Sequence, residues 1–479
     1  MRITLFFKFL TAHRLNGDDK MKLLDKLTTS KETNLRSEPV GRLLATLAVP
    51  AIASQIVNAL YNMVDRMYIG HIPETGPMAL TGLGVCFPLI MIVSAFACLV
   101  GMGGAPKASI YMGRRDNAHA EKILGNCTTA LIFLSVTLTV LVLLFKRPLL
   151  YLFGASENTI GYAESYMTIY ALGTVFVQLT LGLNSFISAQ GFSKISMFTV
   201  IIGAVTNIIL DPIFIFGFGM GVKGAALATV ISQALSALWA VKFLTGNVTV
   251  LRIKKKYLKV ERHILSPCLA LGVAPFIMQS TESLLVLCFN SSLLKYGGDT
   301  AVGAMTILSS VMQFALLPLQ GLTQGGQPII SFNYGAGNLD RVKKGFTLLL
   351  KCCLTYATLL WAVCMFLPQL PVMIFTSEPE LTDLSVWALR IYMASVFLMG
   401  AQNACQQSFI ALGNAKVSTF LAIFRKIILL IPLIYILPHF FTDKVFAVFL
   451  AEPVADAVAV ATTCTMFSIE FRKLWSNTL

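Results

Sequence analysis

Twelve long apolar runs constrain the fold of this chain more than any other feature of its sequence. A helix needs about 20 mostly apolar residues to cross the hydrocarbon core of a bilayer. A transmembrane β-barrel is excluded because its strands are shorter and alternate apolar with polar residues. The sequence therefore predicts an all-α polytopic membrane protein with twelve transmembrane helices. The runs lie near 43–70, 78–105, 122–145, 161–188, 194–216, 222–245, 264–295, 301–330, 343–367, 383–411, 417–440 and 444–471.

The composition excludes the main soluble classes. Hydrophobic residues make up 56% of the 479 positions and charged residues only 13%, whereas soluble domains are nearer a quarter charged. The net charge of +14 could suggest a nucleic-acid partner. The basic residues, however, stand between the apolar runs and form no continuous face, so we expect the partner of this surface to be the lipid bilayer and not nucleic acid.

The distribution of Lys and Arg predicts the orientation. One side of the predicted bundle carries the basic N-terminal tail and the run from Arg252 to Arg262, together with most other loop cations. Loops rich in Lys and Arg stay in the cytoplasm, so both termini are predicted to lie there. The chain itself is predicted to span the bacterial cytoplasmic (inner) membrane. Either Met1 or Met21 could be the true start. The other side has only five cations, at Lys146, Arg147, Lys223, Lys295 and Lys444.

The two halves of the sequence repeat at an offset of about 222 residues. Gly104, Gly113 and Gly191 fall on Gly326, Gly335 and Gly413, and further matches follow the same register. Each copy holds six predicted spans and so enters the membrane in the same direction, which predicts two pseudo-symmetric six-helix bundles related by an axis along the membrane normal. We expect this division: tail 1–42, N-terminal lobe 43–245, basic linker 246–263, C-terminal lobe 264–471 and tail 472–479.

Ionisable residues inside predicted spans cost at least ~2.5 kcal/mol each on insertion scales, so each is a candidate functional residue. Asp211 is the most informative, because Asn207 shares its helical face and Pro212 leaves the carbonyl of Ile208 without its helical donor. This combination suits a small hard cation or a proton. The alternative is a capped helix end near the outer surface.

Two other acids are more ambiguous from the residues alone. Asp65 could lie in the membrane or at the outer interface. Glu282 could bind a cationic substrate or a proton, or could be an interfacial residue bonded to neighbouring hydroxyls. Arg425 with Lys426, and Glu452 with Asp456, are interpreted as structural ion pairs between adjacent spans.

Carboxamide side chains recur in the same spans. Part of this set is predicted to line a wet cavity between the lobes, while hydrogen bonding between helices is the alternative for any single residue. The candidates kept as substrate or proton ligands are Gln55, Asn58, Gln178, Gln402 and Gln406, together with Glu282.

The sequence contains no pattern typical of an enzyme. It has no HExxH, no GxSxG and no Walker lysine loop, and its single GxGxxG lies in a turn between predicted spans. We therefore predict a non-enzymatic protein without a cofactor. Since no energy-supplying site is present in the sequence, a machine driven by an ion gradient is favoured.

The residues also resemble a known family. The segments SEPVGRLLATLAVPAIASQIVNALYNMVDRMYIG and GAVTNIILDPIFIFGFGMGVKGAALATVISQ are similar to those of multidrug and toxic compound extrusion (MATE) transporters, in the MepA-type prokaryotic branch. The resemblance implies a secondary active multidrug efflux transporter that exports lipophilic or cationic small molecules by proton- or sodium-coupled antiport. Alternating access, xenobiotic export with antibiotic resistance, and a functional monomer are the corresponding expectations.

The resemblance further implies a coupling site for H⁺ or Na⁺ in the first lobe. Its family pattern falls here on Asp65, Asn207, Asp211 and Thr229. Some members use acids in spans seven and ten instead. Glu282 stands near the first of these, but span ten has no acid, so that second arrangement is incomplete. A lipid-linked oligosaccharide flippase of the same superfamily remains the alternative function, since fold alone does not fix function.

Overall fold

The computed structural model of the chain describes residues 35–376 and 378–476. Most of the predicted N-terminal tail, including both possible starts, lies outside these residues. Within the described ranges the chain is helical and has no strand. The α-helices are α1 Val40–Gly70, α2 Gly76–Gly113, α3 Asn117–Leu152, α4 Ile160–Leu172, α5 Thr174–Ala189, α6 Ser193–Pro212, α7 Val222–Thr245, α8 Arg262–Gly335, α9 Leu339–Phe366, α10 Gln369–Met373, α11 Pro379–Tyr392, α12 Val396–Ala411, α13 Ala415–Ile423, α14 Ile431–Ile436 and α15 Lys444–Ser476.

The helix α8 accounts for two spans. Its 74 residues would extend about 110 Å at ~1.5 Å per residue, far more than the ~30 Å hydrocarbon core. The backbone leaves helical geometry at Gly298, where φ is 65° and ψ is −162°. Glycine adopts this conformation at no steric cost, so the chain reverses there between the predicted seventh and eighth spans.

Two other spans are bent instead of continuous. α4 and α5 meet at 59°, and α11 and α12 meet at 49°. Nine helices in the described ranges are long and apolar enough to cross a membrane, and each bent pair adds one span. With α8 divided at Gly298, the count is twelve, which confirms the predicted architecture.

Backbone geometry follows the 222-residue repeat. The breaks of the bent spans, at Gly173 and Ser395, differ by that offset. Gly191 and Gly413 differ by it as well, and both have positive φ, at 89° and 78°. The copies therefore share their bends and turns as well as their sequence.

Among the described residues, buried apolar clusters join the two lobes at one end and not at the other. We call the joined end the linker end, because the connecting segment 246–261 lies there, and the opposite end the far end. At the linker end one apolar cluster combines Leu124 and Phe186 of the first lobe with Cys268 of the second, and another combines Leu47 with Phe409. The buried clusters of the far end each contain residues of one lobe alone. Because no buried cluster of the described residues joins the lobes there, we infer a cleft between them that opens towards the far end.

Glycines allow α2 and α8 of the two lobes to approach each other closely. A Cβ built on Gly113 would lie 2.0 Å from the carbonyl oxygen of Phe332, and one built on Gly335 would lie 1.9 Å from that of Ile110. Both pairs of positions, 113 with 335 and 110 with 332, are related by the repeat offset. The backbones of α2 and α8 thus cross in direct contact at the pseudo-two-fold axis.

The linker packs on the first lobe. Thr129 donates to the carbonyl oxygen of Leu258 at 2.6 Å, and the backbone N–H of Glu261 donates to Asn126 Oδ1 at 2.6 Å. The Nζ of Lys254 also lies 2.6 Å from Glu121 Oε2. The basic connection is therefore a structured part of the linker end and not an extended tether.

Candidate functional site

The predicted first-lobe residues meet in one buried cluster. Asp211 is fully buried on α6, and Asp65 on α1 is 8% exposed. Asn207 donates from Nδ2 to Asp211 Oδ1 at 3.2 Å and to Thr229 Oγ1 at 3.5 Å. The carboxyl groups of Asp65 and Asp211 interact with each other. Three helices, α1, α6 and α7, thus bring the four predicted residues together.

The sequence around Asp211 explains the local geometry. Asn207 and Asp211 are four residues apart and therefore lie on one face of α6. α6 ends at Pro212, whose missing N–H cannot continue the helical bonding, and a π-helical turn follows over Ile213–Gly217. Such turns are frequent at functional sites. Asp211 lies near the end of α6, as the helix-end alternative requires, but it is fully buried and accepts a side-chain hydrogen bond from Asn207.

The cluster contains two acids that form no ion pair among the described residues. Among the described residues, neither Asp65 nor Asp211 has an ion-pair partner within 4.0 Å. Arg66 lies 5.0 Å from the ring centre of Phe87, and it acts on Asp65 electrostatically without forming an ion pair. Asp65 Oδ1, Asn207 Oδ1 and Asp211 Oδ2 are buried without a hydrogen-bond partner in the described chain.

This arrangement is suited to taking up one positive charge. Two carboxylates in one buried site repel each other strongly, because the low-dielectric interior screens their charge poorly. A proton between them, or a small cation held by the free oxygens, removes that repulsion. Hard cations such as Na⁺ prefer carboxylate and amide oxygens. The donor set therefore fits either predicted coupling ion.

Sequence reasoning missed two tyrosines at this cluster. Tyr166 of α4 is buried, and it interacts with Thr229 and with Asp65. Tyr61 interacts with both aspartates and lies one helical turn before Asp65 on α1. The spacing from Tyr61 to Asp65 was a usable signal, whereas nothing in the sequence near Tyr166 connects it with the site.

The second lobe holds a different charged cluster. Arg425 donates from Nε to Asp456 Oδ1 at 2.7 Å and lies 3.4 Å from Glu452 Oε1. These contacts join the π-helical turn Phe424–Leu430 to α15, as the predicted ion pairs between adjacent spans require. Lys426 instead pairs with Glu282 on α8 and donates to the carbonyl oxygen of Met278 at 3.1 Å. The structure thus gives Glu282 a lysine partner, where the sequence suggested hydroxyls.

The candidate carboxamides do not form one site. Gln178 is fully buried and donates to the carbonyl oxygen of Val93 at 2.6 Å, so it ties α5 to α2. Gln406 donates to Ser418 and ties α12 to α13. Gln402 lines a small cavity in the second lobe. On α1, Gln55 is half-buried and Asn58 exposed.

The two clusters lie on corresponding helices, but each lobe has nonpolar residues at the positions where the other lobe has its cluster. At the repeat offset, Asp65, Asn207, Asp211 and Thr229 correspond to Leu287, Leu429, Leu433 and Ala451. In the other direction, Glu282, Arg425, Lys426, Glu452 and Asp456 correspond to Leu60, Gly203, Ala204, Val230 and Ala234. One lobe therefore contains uncompensated acids, and the other contains acids paired with basic residues.

The ion pairs that Arg425 forms with Asp456 and Glu452 should contribute strongly to the stability of the second lobe. We expect Arg425→Met to cost about 3–5 kcal/mol, because Asp456 and Glu452 would stay buried without their countercharge. The exposed pair of Lys473 with Glu470 provides the control. Lys473→Met should change stability by less than about 0.5 kcal/mol. Thermal unfolding of the purified wild type and variants provides the measurement. Equal melting temperatures for Arg425→Met and the wild type would contradict the prediction.

Comparison with known protein families gives a match over both lobes. The MatE family model matches residues 50–213 and 275–436, two stretches whose starts and ends are displaced by nearly the predicted 222 residues. "Multidrug export protein MepA" of Staphylococcus haemolyticus (strain JCSC1435) is 26% identical over 419 residues, covering 86% of this chain and 91% of the relative. The protein of the same name from Staphylococcus aureus (strain MSSA476) is 26% identical over 433 residues, covering 88% and 93%.

Solved structures share the fold. A structure described as MATE in the bent conformation superposes with a TM-score of 0.87 at 23% identity, covering 94% of this chain and 99% of the other. A transporter of the MOP superfamily from Pyrococcus furiosus, described as having a binding pocket of reverse polarity, gives a TM-score of 0.86 at 22% identity, covering 93% and 99%.

Proposed function

The chain belongs to the MatE family, and on that premise we propose that it is a secondary active exporter of small amphipathic or cationic compounds. It is a multi-pass membrane transporter and not an enzyme. Export of several drug classes is supported by the relatives described as multidrug export proteins. A cleft that opens at one end of two pseudo-symmetric lobes supports alternating access.

We propose that the first-lobe cluster couples export to an inward flow of H⁺ or Na⁺. The observation that carries this is the pair of buried carboxyl groups, Asp65 and Asp211, which form no ion pair among the described residues. An ion arriving through the cleft neutralises the pair, with Asn207 and Thr229 as supporting ligands. Neutralisation changes the packing of α1 against α6 and so favours the closed state of the far end.

The proposed transport direction assigns the two ends of the protein to the two sides of the membrane. The positive-inside rule places the linker end and both termini on the cytoplasmic side of a bacterial inner membrane. The cleft then faces outward, ready to release substrate and accept the ion. The lobes 43–245 and 264–471 move relative to each other within one monomer.

The lipid-linked oligosaccharide flippase is the competing function. Such a protein would need a cationic cavity for its anionic substrate. Arg425 and Lys426 do line the second-lobe cavity, but both are paired with acids. The balance of charge therefore supports the exporter.

Dye transport in proteoliposomes tests the function. Purified protein is reconstituted with a fluorescent cationic dye, and either a pH gradient or a sodium gradient is imposed. We expect dye movement to follow one of the two gradients and to stop when that gradient is collapsed by an ionophore. If neither gradient moves a range of cationic dyes, while a lipid-linked oligosaccharide is translocated, the flippase is the correct function.

A further inference from the structure

The second-lobe cavity lies directly beside the pair of Glu282 and Lys426. It is lined by Met278, Gln402, Gln406 and Lys426, among other residues. Met278 is also the residue whose carbonyl oxygen accepts from Lys426. The ammonium group thus stands at the boundary between this cavity and Glu282.

Two buried oxygens in the cavity wall have no donor. Oε1 of Gln402 and Oε1 of Gln406 lack a hydrogen-bond partner among the described residues, although both side chains are more than nine-tenths buried. The orientation of Gln406 is fixed, because its Nε2 donates to the carbonyl oxygen and hydroxyl of Ser418 at 2.9 and 3.1 Å. A buried acceptor without a donor costs about 1–3 kcal/mol. The cavity is therefore complementary to a group with several N–H donors.

Glu282 is accessible where Lys426 is not. The side chain of Glu282 is 60% exposed, whereas that of Lys426 is 6% exposed. Glu282 lies about one turn beyond Gln279, whose Nε2 contacts Met91 Sδ of the first lobe at 3.3 Å. The exposed carboxylate therefore lies near the surface at which the two lobes face each other, with the lysine behind it.

We propose that Glu282 binds the cationic group of a lipophilic substrate and that Lys426 is a tethered cation which competes for the same carboxylate. This inference deepens the proposed function and rests on it. When a substrate cation contacts Glu282, Lys426 turns into the cavity and donates to Gln402 and Gln406. The lysine remains hydrogen-bonded in both positions, which reduces the cost of separating its ammonium group from Glu282.

The mobile partner in this cluster is Lys426 and not Arg425. Arg425 contacts two acids of α15, which fix its planar guanidinium. Lys426 has one acid partner, a flexible four-carbon stem and three rotatable donors. Its alternative acceptors lie in the same cavity that its side chain lines.

The test is binding of tetraphenylphosphonium to the full chain in lipid nanodiscs, measured by calorimetry without any ion gradient. Removing the competitor in Lys426→Gln should tighten binding about 3- to 10-fold, and Glu282→Gln should weaken it by at least the same factor. An uncharged tetraphenyl analogue should bind all variants equally. If Lys426 only holds α8 in place, Lys426→Gln weakens binding instead, which overturns the proposal.

A second variant isolates the alternative position of the lysine. Gln402→Leu should weaken binding of the cation in the wild-type background, because Lys426 then loses an acceptor when displaced. The same change should have no effect in the Lys426→Gln background. Equal effects in both backgrounds, or no cation binding by either wild type or Lys426→Gln, also overturn the proposal. If the binding shifts appear as expected but no gradient drives export, the exporter function is rejected while the assignment of this binding site stands.

Discussion

Replacing Asp211 with asparagine is expected to reduce the rate of gradient-driven dye export by roughly 100-fold. This factor corresponds to a coupling free energy near the upper end of the typical range. The amide keeps the shape of the carboxyl group but cannot take up a proton or contribute a negative charge to a sodium site. Initial rates in proteoliposomes under the active gradient provide the measurement. Asp65→Asn should have the same direction of effect, since the two carboxyl groups share one site.

Stability separates this role from a structural one. Because each substitution removes a buried acid without a countercharge, we expect the melting temperature to stay equal or to rise at pH 8. Asp299→Asn is the matched control, an exposed aspartate beside the Gly298 reversal, and it should retain the wild-type rate. Gradient-dependent export by Asp211→Asn at the wild-type rate would disprove the coupling role.

The second large effect is expected at the crossing of α2 and α8. In Gly113→Ala the new methyl would lie 2.0 Å from the carbonyl oxygen of Phe332, whereas ordinary contact needs about 3.4 Å. Overpacking of this kind costs about 1–3 kcal/mol. The population of the conformation in which the linker end is closed should therefore fall by roughly 5- to 150-fold, and export should slow as a result.

Spin labels at the exposed residues Arg114 and Asp340 report this change. Their distance distribution should gain a longer component in Gly113→Ala, and by pseudo-symmetry Gly335→Ala should do the same. The control is Gly84→Ala in the same helix, because a Cβ on Gly84 meets nothing within 4 Å. An unchanged distribution in both crossing variants would show that the lobes close elsewhere.

Most of the fold could be predicted because membrane spans are a property of local composition. Length and apolarity located all twelve spans, and the repeat defined their grouping. The bends at Gly173 and Ser395 could not be predicted, since each apolar run passes through its bend without a change in composition. The packing of the linker was also missed, because its hydrogen bonds to Asn126 and Thr129 join distant parts of the sequence.

The candidate site was predictable to different degrees in the two lobes. Asn207 and Asp211 lie one turn apart, so helical periodicity alone placed them together. Asp65 is 142 or more residues away from them in sequence, and only family resemblance connected it with that cluster. For Glu282, neighbouring hydroxyls were the local candidates, yet its partner is Lys426 on another helix. Periodicity carries no information about which faces of separate helices meet.

The exchange of polar for apolar residues between the lobes has a consequence for the origin of the chain. A homodimer built from one six-helix unit must display every side chain twice, because closed two-fold symmetry leaves its subunits identical. Joining two copies on a single polypeptide removes that constraint, so Asp211 can have Leu433 as its counterpart and Lys426 can have Ala204. A symmetric dimer of either half alone would carry two acidic clusters of this kind or none.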